Sequence, residues 1–163
     1  MNKYLSLLFL ILVSIIFITI QTTLFSPRNL GYYYPDLNLI LIVYLGIYSE
    51  IRGSFFLALG NGYLMDVLSG NLPGTFTLSR LSAYLLVRSG SGQVYLRRAL
   101  VQGLVIFLAT IFTWIFILII IKIKKDSGFD ITAKSILIQG IVNAVVGMPV
   151  FWMINKIYAR LQK

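Results

Sequence analysis

Apolar residues dominate the chain in long runs, and polar residues cluster between them. The first run, residues 4–25, holds no charge; it follows Lys3 and stops before Ser26-Pro27-Arg28. It is longer than a signal-peptide core, and Gln21-Thr22-Thr23-Leu24-Phe25 is a poor cleavage site, so the pattern predicts a retained span. Shorter runs follow over 37–49, 54–69 and 75–87, then long ones over 99–121 and 135–157. Each run predicts a helix, and the strongest punctuation between them is Gly70-Asn71-Leu72-Pro73-Gly74. Before the second run, Gly31-Tyr32-Tyr33-Tyr34 has the composition of a membrane interface. Pro35 suits a helix start, and Asp36 favours the positive end of the helix dipole.

A membrane-crossing helix takes roughly 20 apolar residues, so six would use about 120 and leave only short loops. The expected architecture is therefore all-α: one polytopic membrane domain over residues 1–163, built as a six-transmembrane-helix bundle. Composition agrees. Of 163 residues 58% are hydrophobic and 12% charged, with a mean hydropathy of +0.88. A water-soluble globule carries about twice that share of charge, and a disordered chain would be polar and poor in aromatics.

The chain contains no Cys and no His. A disulfide, a thiol nucleophile, a Cys/His metal site and an imidazole base are therefore out of reach. With no nucleophile–base pair to assemble, the expectation is a non-enzymatic protein without cofactor or metal. The net charge of +9 comes from 14 Lys and Arg against 5 Asp and Glu, set singly or in small groups between apolar runs. That distribution points to topology and to anionic lipid headgroups, with no nucleic-acid partner. With six spans and a cytoplasmic N-terminus, Lys3, Arg52, Arg88, Arg97, Arg98, Lys156, Arg160 and Lys163 lie inside. Arg28, Lys122, Lys124, Lys125 and Lys134 lie outside. The excess favours both termini in the cytoplasm.

Candidate chemistry concentrates in two small-residue faces. On the third run Ser54, Ala58, Gly62 and Asp66 follow at steps of four, with Asn61 beside them. Phe55, Phe56, Leu59, Tyr63 and Leu64 cover the other side. Small residues at helical spacing mark close helix contacts in lipid. Asp66 is the only acid deep in an apolar run, and a carboxylate there needs a partner or a proton. Arg80 follows the Gly70–Gly74 turn much as Asp66 precedes it. A hairpin would bring both roughly 6–9 Å below the turn at 1.5 Å per residue, so either an Asp66–Arg80 pair is expected or both sit near the interface and snorkel separately. The last run carries a similar face, Gln139, Gly140, Asn143, Ala144 and Gly147, suited to packing inside the chain or to docking a partner's helix. Pro149 is expected to kink that helix.

The segments Pro35-Asp36-Leu37, Glu50-Ile51-Arg52-Gly53, Gly60-Asn61-Gly62-Tyr63-Leu64-Met65-Asp66-Val67-Leu68-Ser69-Gly70 and Pro73-Gly74 together resemble the bacterial rod shape-determining MreD family. The likeness covers about Pro35 to Leu86; Leu72 precedes Pro73 where members often have the reverse order, and Arg80 is not carried over. The resemblance implies a scaffold of the cell-elongation complex in the cytoplasmic membrane. It would bind MreC and link indirectly to MreB and to the RodA and penicillin-binding-protein synthase of lateral peptidoglycan. It also implies a fold similar to the substrate-binding subunits of energy-coupling-factor transporters. The alternative class is a vitamin-type binding subunit of a transporter, its cavity lined by Asn61, Asp66, Arg80 and Asn143. Homo-oligomerisation is not legible.

Overall fold

The computed structural model describes residues 3–23, 34–48, 53–69, 73–92, 98–123 and 132–161. Among them the chain is all-helical: α1 (Lys3–Thr23), α2 (Leu37–Ile47), α3 (Ser54–Ser69), α4 (Thr75–Gly90), α5 (Ala99–Ile123) and α6 (Ala133–Leu161). Each expected run becomes one helix. The fourth extends three residues past the expected end, and the last is longer at both ends. Two helices, Ala99–Ile123 and Ala133–Arg160, are long and apolar enough to cross a membrane. Pro149 lies inside α6. Gly70 of the expected turn lies outside the described residues, as do Arg28, Glu50, Arg52, Arg97, Lys124, Lys125 and Lys163. Pro73 and Gly74 are described.

The architecture is a ring around a centre. α2 touches each of the other five helices, and those five close on one another in the order α1, α3, α4, α5, α6 and back to α1. Every residue of α2 except Ile47 is buried. This accounts for the all-round apolar sequence of Leu39-Ile40-Leu41-Ile42-Val43, since a helix that is hydrophobic on every side belongs inside. It also accounts for the shortness of α2: a helix sheathed by protein need not match any outer thickness.

Small residues set the closest approaches. α3 and α4 run antiparallel, and a Cβ built at Gly62 would lie 2.5 Å from the Thr77 Cα. α5 and α6 are also antiparallel, with Gly140 against the Phe107 ring and Gly147 against Ile106 of α5 and Ile40 of α2. The face of α6 that could have docked a partner's helix is thus filled from within the chain. Phe56, Tyr63, Val67, Leu104, Ile141 and Val145 point outward from the ring.

Candidate functional site

The site is a polar cluster at the N-terminal end of α2. Leu37 opens the helix and Asp36 caps it, its carboxylate Oδ1 accepting from the Leu39 amide at 2.9 Å. An N-cap acid satisfies one of the first amides that have no partner within a helix, and it suits the positive end of the dipole. The same oxygen accepts from Gln21 Nε2 of α1 at 3.2 Å, and Gln21 Oε1 accepts from the Asn38 amide at 3.2 Å. Oδ2 accepts from Arg80 Nη2 of α4, the one ion pair among the described residues. The Asp36 amide donates to Asn143 Oδ1 of α6 at 2.7 Å. Asn143 Nδ2 in turn donates to Thr110 Oγ1 of α5 at 3.0 Å. Gln139, one turn away, accepts from Trp114 Nε1 and donates to the Tyr34 carbonyl at 3.3 Å. Five of the six helices meet here through side chains.

Arg80 is 1% exposed, and its guanidinium lies 6.0 Å from the Phe76 ring centroid. Its Nε and Nη1 have no acceptor among the described residues. Asn38 is 0% exposed, and its side-chain Nδ2 and Oδ1 have no hydrogen-bond partner among the described residues.

Asp66 does different work. Its Oδ1 accepts from the Phe76 amide at 2.8 Å, and its Oδ2 from the Thr77 amide at 2.9 Å and the Thr77 hydroxyl. Gly74, the N-cap of α4, has φ +82° and offers no side chain to cap with. Asp66 supplies that cap from the neighbouring helix. The expected Asp66–Arg80 pair is therefore corrected. Asp66 is level with the first turn of α4, where free amides take its oxygens. Arg80 lies one turn further, on the buried side of α4 that faces α2.

The rest of the expected α3 face is inward. Ser54, Ala58, Asn61 and Gly62 are buried; Ser54 Oγ lies 2.7 Å from the Tyr84 hydroxyl, and Asn61 Oδ1 accepts from Ser14 of α1. Gln139, Gly140, Asn143 and Gly147 are buried and Ala144 half-buried. The structure thus brings Arg80, Asn143 and Gln139 to one end of α2 and leaves Asn61 and Asp66 on the α3 contacts.

Gln21, Thr110 and the pairing role of Asp36 were not legible as site features. Asp66 is the only acid deep in an apolar run of the sequence, yet Asp36 is also buried inside the bundle. The available signal was the shortness of the second run: a helix too short to cross must start within the protein, and its cap then lies there too. A second polar cluster marks the other end of α2, where Asn155 bonds the hydroxyls of Tyr44 at 2.9 Å and Tyr48 at 2.7 Å. Among the described residues, no three acids gather as a metal site would need.

Comparison with protein-family models, curated proteins and solved structures finds no match to this chain.

Proposed function

We propose that the chain is a six-span protein of the bacterial cytoplasmic membrane, with both termini in the cytoplasm. It acts as a non-enzymatic scaffold of the cell-elongation complex in the manner of MreD. One observation carries this reading: four residues of the MreD-like segments, Asp36, Gly62, Asp66 and Gly74, key the bundle together. Asp36 starts the central helix and joins α1, α4 and α6 to it. Gly62, Asp66 and Gly74 form the α3–α4 joint.

Seating in a bilayer is supported by the outward faces. Leu8 and Leu12 on α1, Phe56 on α3, Leu104 and Leu108 on α5 and Ile141 on α6 are all exposed. An apolar surface carried around so much of a ring would drive association in water, and it is the natural outer surface in hydrocarbon. Lys156, stacked on the Trp152 ring at 4.6 Å, and Arg160 place cations at one end of the bundle, suited to anionic headgroups. A bitopic partner such as MreC docks on the outward faces, because the small-residue faces of α3 and α6 are already filled. MreB and the RodA/penicillin-binding-protein synthase are then reached through that partner.

Depletion of the protein tests this reading: rod-shaped cells round up. Pull-down of the full chain in mild detergent recovers a bitopic partner. Normal shape with a vitamin requirement on depletion sinks the scaffold and favours the transporter subunit. That second reading draws on the enclosed Asp36–Arg80 cluster.

A further inference from the structure

α6 is long and apolar enough to cross a membrane, and one line of residues along it faces outward. Ile141, Val145, Pro149, Trp152, Lys156 and Arg160 follow at steps of three or four, and all six are exposed. That spacing keeps them on one side of a helix. The chemistry changes along the line: three apolar residues, then an indole, then two cations. Lys156 Nζ lies 4.6 Å from the Trp152 ring centroid, so the ring holds the ammonium at its own level. Neither cation has an ion-pair partner among the described residues. α6 contains no acid between Ala133 and Leu161. Its C-terminal part meets the end of α2 through Asn155, which bonds Tyr44 and Tyr48. The two acids among the described residues, Asp36 and Asp66, belong to the opposite end of the bundle.

This order of surfaces matches a lipid of one leaflet. Val145 lies about 16 Å along the axis from Lys156 at 1.5 Å per residue, close to half of a hydrocarbon core roughly 30 Å thick. An acyl chain fits the apolar members, tryptophan collects at the interface, and a phosphate meets the cations. A zwitterionic phospholipid brings its own ammonium to two cations and finds no carboxylate on α6. An acidic protein segment satisfies the cations but leaves the apolar part of the line uncovered. We propose that this face of α6 docks one anionic phospholipid, its phosphate held between Lys156 and Arg160 and its acyl chain along Val145 and Ile141. The proposal rests on the bilayer seating argued above and does not need the scaffold role.

Native mass spectrometry of the full chain in mild detergent tests it, with dioleoyl phosphatidylglycerol and dioleoyl phosphatidylethanolamine added at equal concentration. One phosphatidylglycerol is retained per chain, about tenfold or more in preference to phosphatidylethanolamine. Lys156→Gln and Arg160→Gln each weaken that binding about fivefold. Lys134→Gln removes the same charge at the other end of α6 and leaves it unchanged. All three side chains are exposed, and circular dichroism verifies that the variants keep their helices. Equal retention of the two lipids overturns the proposal, as does equal weakening by all three variants, or no weakening by Lys156→Gln and Arg160→Gln. A glutamate-rich peptide retained in preference to the lipid assigns the face to an acidic protein segment; unselective lipid with a mass of two chains assigns it to a second copy. Either overturns the lipid site. Failure of the bilayer seating reads differently: the chain then stays monodisperse in buffer without detergent.

Discussion

Asp66 accepts both the amide and the hydroxyl proton of Thr77, tying the end of α3 to the first turn of α4. It also takes the Phe76 amide. Removing the carboxylate strips α4 of its only side-chain cap among the described residues and leaves the part-buried Phe76 and Thr77 amides unmet. Hydrogen bonds to a charged group contribute about 1.5–3 kcal/mol each, with losses that do not simply add. Asp66→Ala is therefore expected to lower stability by about 2–4 kcal/mol. Asp66→Asn keeps one acceptor oxygen and loses roughly half of that. Unfolding of the purified variants in mild detergent, followed by circular dichroism, gives the comparison.

The same joint sets a contrast between two glycines. A methyl at Gly62 would meet the Thr77 Cα at 2.5 Å and the Phe76 carbonyl at 3.0 Å, and backbone cannot swing aside. A methyl at Gly60 meets nothing within 4 Å. Gly62→Ala is expected to cost about 2–3 kcal/mol by forcing the hairpin apart, the upper range for overpacking. Gly60→Ala is expected to be neutral or stabilising by up to about 1 kcal/mol, through helix propensity. Equal unfolding midpoints for the two variants would refute the close α3–α4 contact.

On α6 the analogous change is milder. A methyl at Gly147 would approach Ile106 Cδ1 to 2.3 Å, but that atom ends a side chain that can rotate. Gly147→Ala is expected to cost about 1 kcal/mol, less than Gly62→Ala. The same unfolding assay ranks the two.

Helix placement was readable because long apolar runs between punctuated loops admit few alternatives. The inward face of α3 was readable too, since Ser54, Ala58, Gly62 and Asp66 recur at helical spacing. The partner of Arg80 was not. Matching depths below the Gly70–Gly74 turn treats a hairpin as two aligned rods and ignores which side of α4 each residue occupies. Thr77 faces α3 and Arg80 faces α2, and that difference in rotation outweighs similar depth. The pairing role of Asp36 was missed for a related reason, although its place at the start of α2 was read correctly. Its neighbours Tyr32, Tyr33 and Tyr34 suggest an interface, whereas α2 begins inside the ring, a property of the packed assembly rather than of local sequence.

The ion pair of Asp36 and Arg80 makes the sharpest stability test. Both groups are buried, so removing one partner strands the other charge; such losses run about 3–5 kcal/mol. Arg80→Met leaves the Asp36 carboxylate with Leu39 and Gln21 but without its counter-charge. Asp36→Asn keeps an oxygen for the Leu39 amide, so α2 stays capped while Arg80 loses its one charge partner among the described residues. With both changes neither stranded charge remains, and replacing a buried pair with neutral groups is often close to neutral. The double variant is therefore expected to be more stable than the sum of the single losses implies, with a coupling of about 2 kcal/mol or more. Asp66→Asn combined with Arg80→Met serves as control. Those residues share no bond, so their losses should add within about 0.5 kcal/mol. Coupling in the Asp66 cycle and additivity in the Asp36 cycle would restore the hairpin pair expected from sequence and remove Asp36 from the centre of the site.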